Sequence, residues 1–126
     1  MNIQYWKDLA DYDLETARAM LETKRYLYVG FMCHQAAEKI IKAYYAKIFE
    51  EHPPRTHNLR MLAQKANILP KLNEEQNKLL NTLEPLNIEA RYPTDKERIL
   101  QSLNHERCQS LYTSTKEFLE WIKDKL

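Results

Sequence analysis

The sequence predicts an all-α fold, an antiparallel up-and-down bundle of four to five helices, and three observations carry that prediction. The 126-residue chain contains a single glycine, Gly30, and only five prolines, beside 44% apolar and 29% charged residues. β-Hairpins lean on glycine and asparagine for residues with positive φ, whereas glycine weakens helices, so this depletion favours long helices and few connections. Apolar residues also recur at three- and four-residue steps along most of the chain, the period of amphipathic helices. A chain of this length is expected to form one domain over residues 1–126, with no repeat, low-complexity tract or interdomain linker. It can bury roughly two-thirds of the surface it exposes when unfolded.

Five helical segments follow in order. From about Ile3 to Lys24, Trp6, Leu9, Ala10, Leu14, Ala17, Met20 and Leu21 form the apolar stripe, opposite Lys7, Asp8, Asp11, Glu15, Arg18 and Glu22. From about Tyr26 to Phe49, Phe31, Cys33, Ala37, Ile40, Ile41, Tyr44 and Ile48 form a broader stripe, and the small Ala36 and Ala37 admit a close neighbour, so this segment is the expected centre of the bundle. The tandem prolines in Glu51-His52-Pro53-Pro54-Arg55-Thr56 then remove two backbone donors and leave a stiff loop. Thr56 or Asn58 can cap a third helix through about Leu69, with Leu59, Leu62, Ala63 and Ala66 inward and Pro70 beyond its end. A fourth spans about Asn73 to Ala90, with Pro85 expected to kink it or end it early. Thr94 and Glu97 have the spacing of a capping box at the start of a long last helix to about Lys125, with Ile99, Leu100, Leu103, Leu111, Phe118, Leu119 and Ile122 buried.

Charge and motif content exclude several functions. A net charge of +1 argues against coating nucleic acid through bulk electrostatics, while a local basic pocket stays open. With one mid-helix glycine there is no P-loop and no dinucleotide fingerprint, so any phosphate must meet side chains or helix N-termini. No metal is expected, because no paired-cysteine, His-Glu-x-x-His or acidic calcium-loop spacing occurs, and no cofactor is implied. Cys33 and Cys108 are expected to be reduced, packed thiols. The stretch Met1 to Asp8 lacks the basic start and apolar run of a signal peptide, no segment suits a membrane span, and the cytoplasm is the expected compartment.

Three polar constellations remain. His34, Glu38 and Lys42 are spaced by four, along one edge of the second helix's stripe. They are either ordinary turn-to-turn pairs at the core boundary or a partly buried acid–base set; as a metal pair they lack a third ligand. Pro54-Arg55-Thr56-His57-Asn58-Leu59 joins a stiff loop to a helix start, where Arg55 and His57 either hold an anion or stand in a solvated cap. In Ala90-Arg91-Tyr92-Pro93-Thr94, Arg91 either grips a phosphate while Tyr92 stacks on a base, or ties the interhelix bend to a carboxylate.

Taken in order, His34-Gln35-Ala36-Ala37-Glu38-Lys39, Pro53-Pro54-Arg55-Thr56-His57-Asn58-Leu59 and Ala90-Arg91-Tyr92-Pro93, set between amphipathic helices, resemble the HEPN family of higher eukaryotes and prokaryotes. The resemblance covers nearly the whole chain. It implies an antiparallel helical bundle, usually a homodimer, a nucleotide-binding role, and frequent pairing with a small nucleotidyltransferase in a two-component, toxin–antitoxin-like system. Many members are metal-independent ribonucleases carrying an arginine, four to six residues, then a histidine. Arg98 and His105 have that interval here, and such a pair can move protons and stabilise a phosphorane. His105 is followed by Glu106 and Arg107, where the toxin branch commonly has a residue and then tyrosine, and Arg91 has no histidine at that interval.

Three functions are therefore weighed. The first is a nucleotide- or RNA-binding module, acting with a nucleotidyltransferase and using Arg91, Tyr92, Arg55, His57, His34, Glu38 and Lys42. The second is a ribonuclease toxin built on Arg98 and His105, or on Arg91 with His57 or His34 across a dimer cleft. The third is a purely structural dimer, for which exposed Tyr45 and the Tyr26-Leu27-Tyr28 segment offer interface residues.

Overall fold

A computed structural model describes residues 2–126, Ala90 by its main chain alone; Met1 lies outside the described residues. The described chain folds into six α-helices: α1 (Ile3–Glu22), α2 (Tyr26–Phe49), α3 (Leu59–Lys65), α4 (Glu74–Leu83), α5 (Pro93–Ser102) and α6 (His105–Lys123). Three single 3₁₀ turns, Leu69–Lys71, Glu84–Leu86 and Ile88–Ala90, join them. No described residue is in a strand.

Four helices make the bundle, and cross-helix contacts give their directions. Lys39 meets Asp13 and Lys42 lies over Trp6, so α1 and α2 run antiparallel. Tyr26 meets Cys108 and Lys47 meets the carbonyl of Leu126, so α6 runs parallel to α2. The N-terminal end of α4 lies beside Glu117 and Phe118, so α4 and α6 run antiparallel. Helix α2 is central, touching α1, α3, α4, α5 and α6. Its Ala36, Ala37, Ile40, Ile41 and Ala43 are fully buried, as small residues at helix crossings permit close approach. Gly30 serves the same purpose: a Cβ there would stand 3.0 Å from Leu86 Cδ1.

The helix ends show how the chain turns with no glycine available. α1 closes with Lys24 in the left-handed region at φ 62°, its N–H bonded to Leu21 O at 3.1 Å and that of Arg25 to Met20 O at 2.7 Å. α3 closes alike through Asn67 at φ 61°, with Ile68 N–H bonded to Ala63 O at 3.0 Å. Both are the double closure that usually takes glycine. Asn58 caps α3 and Asn73 caps α4, the latter with Gln76 in a reciprocal capping box.

Several boundaries differ from the sequence reading. The third helix stops at Lys65 because Asn67 reverses the chain, and Pro70 falls in a 3₁₀ turn. The fourth ends at Leu83, where Pro85 opens the next turn. The long last helix is two helices. Leu103 and Asn104 are extended, Asn104 accepts from Arg107 N at 2.8 Å to start α6 afresh, and Leu103 turns into the core. No capping box forms at Thr94: α5 starts with Tyr92 as N-cap and Pro93 in its first turn. Helix α5 buries no residue fully, which leaves Leu100 exposed against expectation, while Ile48 is exposed at the far end of α2.

Candidate functional site

Glu38 joins two of the three sequence constellations. Its carboxylate, 1% exposed, accepts from Lys42 Nζ at 3.0 Å on one oxygen and lies 2.9 Å from His57 Nδ1 on the other. Burial pushes the carboxyl up, but the bonds from His57 and Lys42, with their charges, outweigh burial and hold it below its ordinary value. An ionised carboxylate only accepts hydrogen bonds, so Nδ1 of His57 carries the proton and Nε2 is left free on a side chain 68% exposed. Lys42 in turn lies 5.4 Å from the centre of the Trp6 ring, a cation–π contact that fixes its other side.

His34 is placed differently from its neighbours. It is fully buried, and neither ring nitrogen has a hydrogen-bond partner of good geometry among the described residues. Its nearest carboxylate is Glu84, with Nε2 to Oε1 at 4.0 Å. Burial pushes the imidazole down to about 4, so it is neutral at pH 7. The expected turn-to-turn pair of His34 and Glu38 is thus replaced: Glu38 takes His57 from the loop, and His34 faces Glu84. The spacing of four places side chains on one edge, but the approaching loop decides the partner.

Glu84 went unnoticed in the sequence. Its Oε2 accepts the Leu59 N–H at 2.9 Å, at the start of α3. Burial pushes its carboxyl up, against the opposing pull of that bond and of the Arg91 charge. Glu84 therefore meets the first two constellations, facing His34 and holding the Leu59 amide. Arg91 and Tyr92 are themselves exposed, Tyr92 at 78%. Arg55 is exposed in the loop anchored by buried Pro53, and forms no ion pair among the described residues. A recess of about 280 Å³ beside His57 is lined by Phe31, Gln35, Asn87 and Glu89.

A second missed group is Asp13, paired with Lys39 at 3.3 Å, while Lys39 also donates to Gln35 at 3.1 Å. Asp13 interrupts the apolar stripe of α1 between Ala10 and Leu14, and that interruption was its legible signal. Arg98 and His105 do not share a helix. Arg98 is exposed on α5, and His105 opens α6, exposed, with Nδ1 3.4 Å from the Tyr26 hydroxyl. Tyr45 is half-buried rather than exposed, donating to Glu51 at 2.6 Å and packed on Phe49. Among the described residues no group of three or more His, Cys, Asp or Glu is placed to hold a metal ion. No helix among them is long and apolar enough to cross a membrane.

The chain matches the model of the HEPN domain from residue 3 to residue 125. The crystal structure of TT1696 from Thermus thermophilus is similar to it with a TM-score of 0.81, over 99% of this chain and 98% of that one. Their sequences are 19% identical, so the likeness is one of fold. No curated protein matches the sequence.

Proposed function

The chain belongs to the HEPN domain family, and on that premise we propose that it is a nucleotide- or RNA-binding helical module, working as a cytoplasmic homodimer beside a small nucleotidyltransferase in a toxin–antitoxin-like pair. The observation that carries the binding role is the buttressed histidine. Glu38, balanced by Lys42, orients His57 from beneath and leaves its Nε2 exposed. Arg91 and Tyr92 are exposed, a guanidinium and a ring able to take a phosphate and a base. His34, Glu38 and Lys42 are buried, so they act on a ligand through the residues they support. Exposed Tyr5, Tyr12 and Tyr28 on α1 and α2 suit a subunit interface.

Titration of labelled single-stranded RNA and of nucleotides into the protein tests this reading. His57→Ala and Arg91→Ala are each expected to raise Kd about tenfold, the worth of one charge-assisted contact; Arg91→Ala does so without lowering the melting temperature, whereas His57→Ala also lowers it by leaving the buried Glu38 carboxylate with Lys42 alone. Wild-type affinity in both variants would sink it. A ribonuclease is the second reading, favoured by the same orientation of His57, which is that of a proton-transfer group, with Arg98 and His105 as its other pair. Incubating RNA in chelator with wild type, His57→Ala and His105→Ala decides: cleavage lost in one variant names the histidine, and intact RNA throughout leaves binding alone.

A further inference from the structure

In the recess of about 280 Å³ beside His57, the hydrogen-bonding sense of one lining side chain is set from inside the bundle. Phe31 and Gln35 stand one turn apart on α2 and both line the recess. The side-chain oxygen of Gln35 accepts from Lys39 Nζ at 3.1 Å, and Lys39 is held in turn by the buried Asp13 at 3.3 Å. An ammonium has donors only, so the amide cannot present its NH2 to Lys39. Its oxygen is committed, while Nε2 has no hydrogen-bond partner among the described residues and is open to solvent. Toward a ligand, Gln35 is therefore a donor.

Asn87 and Glu89 reach the recess from the segment that follows α4. Glu89 forms no ion pair among the described residues, and its carboxylate offers two acceptors side by side. His57, with Nδ1 taken by Glu38, adds only Nε2. Phe31 supplies a ring, held edge-to-face by Tyr28 with centroids 6.3 Å apart. A donor, a carboxylate and a ring together fit one kind of base edge. Guanine sets O6, an acceptor, beside the two donors N1–H and N2–H. Adenine would turn its amino group on Gln35 and a lone pair on Glu89; cytosine would do the same, and uracil would bring a carbonyl oxygen against Glu89. At about 280 Å³ the recess is smaller than sites for whole small molecules, which suits a base alone. Resting on the binding role proposed above, we infer that the recess selects a guanine base, with Glu89 on N1–H and N2–H, Gln35 on O6 and Phe31 against its face. Lys39 and Asp13 are positioning residues that fix the sense of the Gln35 amide.

Short labelled uridine tracts carrying one guanosine, adenosine or inosine are titrated into the full chain, and free guanosine and adenosine are followed by amide NMR shifts. The guanosine tract should bind about tenfold tighter than the adenosine tract, with inosine, which lacks the N2 amino group, between them. Glu89→Ala and Gln35→Glu should each erase that preference, whereas Arg91→Ala should weaken every tract alike and keep it. Asp13→Asn with Lys39→Met, which removes the pair without leaving a buried charge, should lower the preference because the amide can then turn either way. Gln35→Glu tests the same polarity even where that double variant does not fold, and a wild-type preference in a folded double variant would strike Lys39 and Asp13 from the proposal. Equal binding of the guanosine and adenosine tracts, or a wild-type preference in Glu89→Ala or Gln35→Glu, overturns the guanine reading and leaves RNA binding standing. Absence of binding to every tract is instead the failure of the binding role. Free guanosine then decides the recess: shifts at Phe31, Gln35 and Glu89 that adenosine does not give keep it, and their absence overturns it too.

Discussion

His34 and Glu38 are one turn apart on α2, both buried, and both are held below their ordinary values, so each contribution is lost as the pH falls. Burial lowers the His34 imidazole from its ordinary 6.5 to about 4. Between those values the unfolded chain binds a proton that the folded chain refuses, so His34's contribution is complete above 6.5 and is lost as the pH falls to about 4. The slope is up to about 1.4 kcal/mol per pH unit. Glu38 is also held low, from an ordinary 4.5, by His57 and Lys42 against its burial; its contribution is present above 4.5 and lost only below. The two windows meet only at their edges, so between pH 7 and pH 5 His34 alone is titrating of the two. Urea denaturation of His34→Leu at pH 7 and pH 5 should show a smaller loss of stability than wild type over that interval; an equal loss would mean that His34 is not the buried base. The sequence placed His34 on the apolar edge but not its partner, because Glu84 reaches it through tertiary packing at 4.0 Å.

At the scale of the element, helix closure is where this chain departs from common practice. Lys24, Glu50 and Asn67 occupy left-handed positions at φ 62°, 52° and 61°, a region that costs a residue with a Cβ about 1 kcal/mol or more. Lys24 is exposed, so a change there alters little but the backbone. Lys24→Gly is expected to raise stability by about 0.5–1 kcal/mol, read as a higher urea midpoint at unchanged slope; an unchanged or lower midpoint would remove the strain argument. The break between α5 and α6 belongs to the same scale. A helical period runs through Ile99, Leu100 and Leu103, and continuation was the natural reading. Asn104 overrides it because its side chain satisfies the Arg107 amide and because an extended Leu103 gains burial that the continuous helix would not provide.

Over the whole molecule, one apolar cluster joins α1, α2, α3, α4 and α6, and the two thiols report on its integrity. Burial raises Cys33 to about 12 and Cys108 to about 11. Neither forms an appreciable thiolate at neutral pH, and the thiolate is the reactive species. Both should therefore resist a thiol reagent at pH 7.5 in native buffer and react together, at the unfolding rate, when urea is added. Rapid labelling of one of them in buffer would show that its helix opens locally.

The amino-acid sequence by itself determined the helical class, the centrality of the second helix, a cap for the third at Thr56 or Asn58 and an interruption of the fourth at Pro85; the structure chose Asn58 and the stop. Each of these rests on periodicity, donor loss or capping, which act over a few residues and are written in a few residues. Tertiary structure alone decided that Glu38 pairs with His57, that Glu84 stands between His34 and the Leu59 amide, and that Asp13 meets Lys39. Those partners are separated by 19 or more positions in the chain, and no local spacing fixes which side chains a bundle brings together when its helices pack.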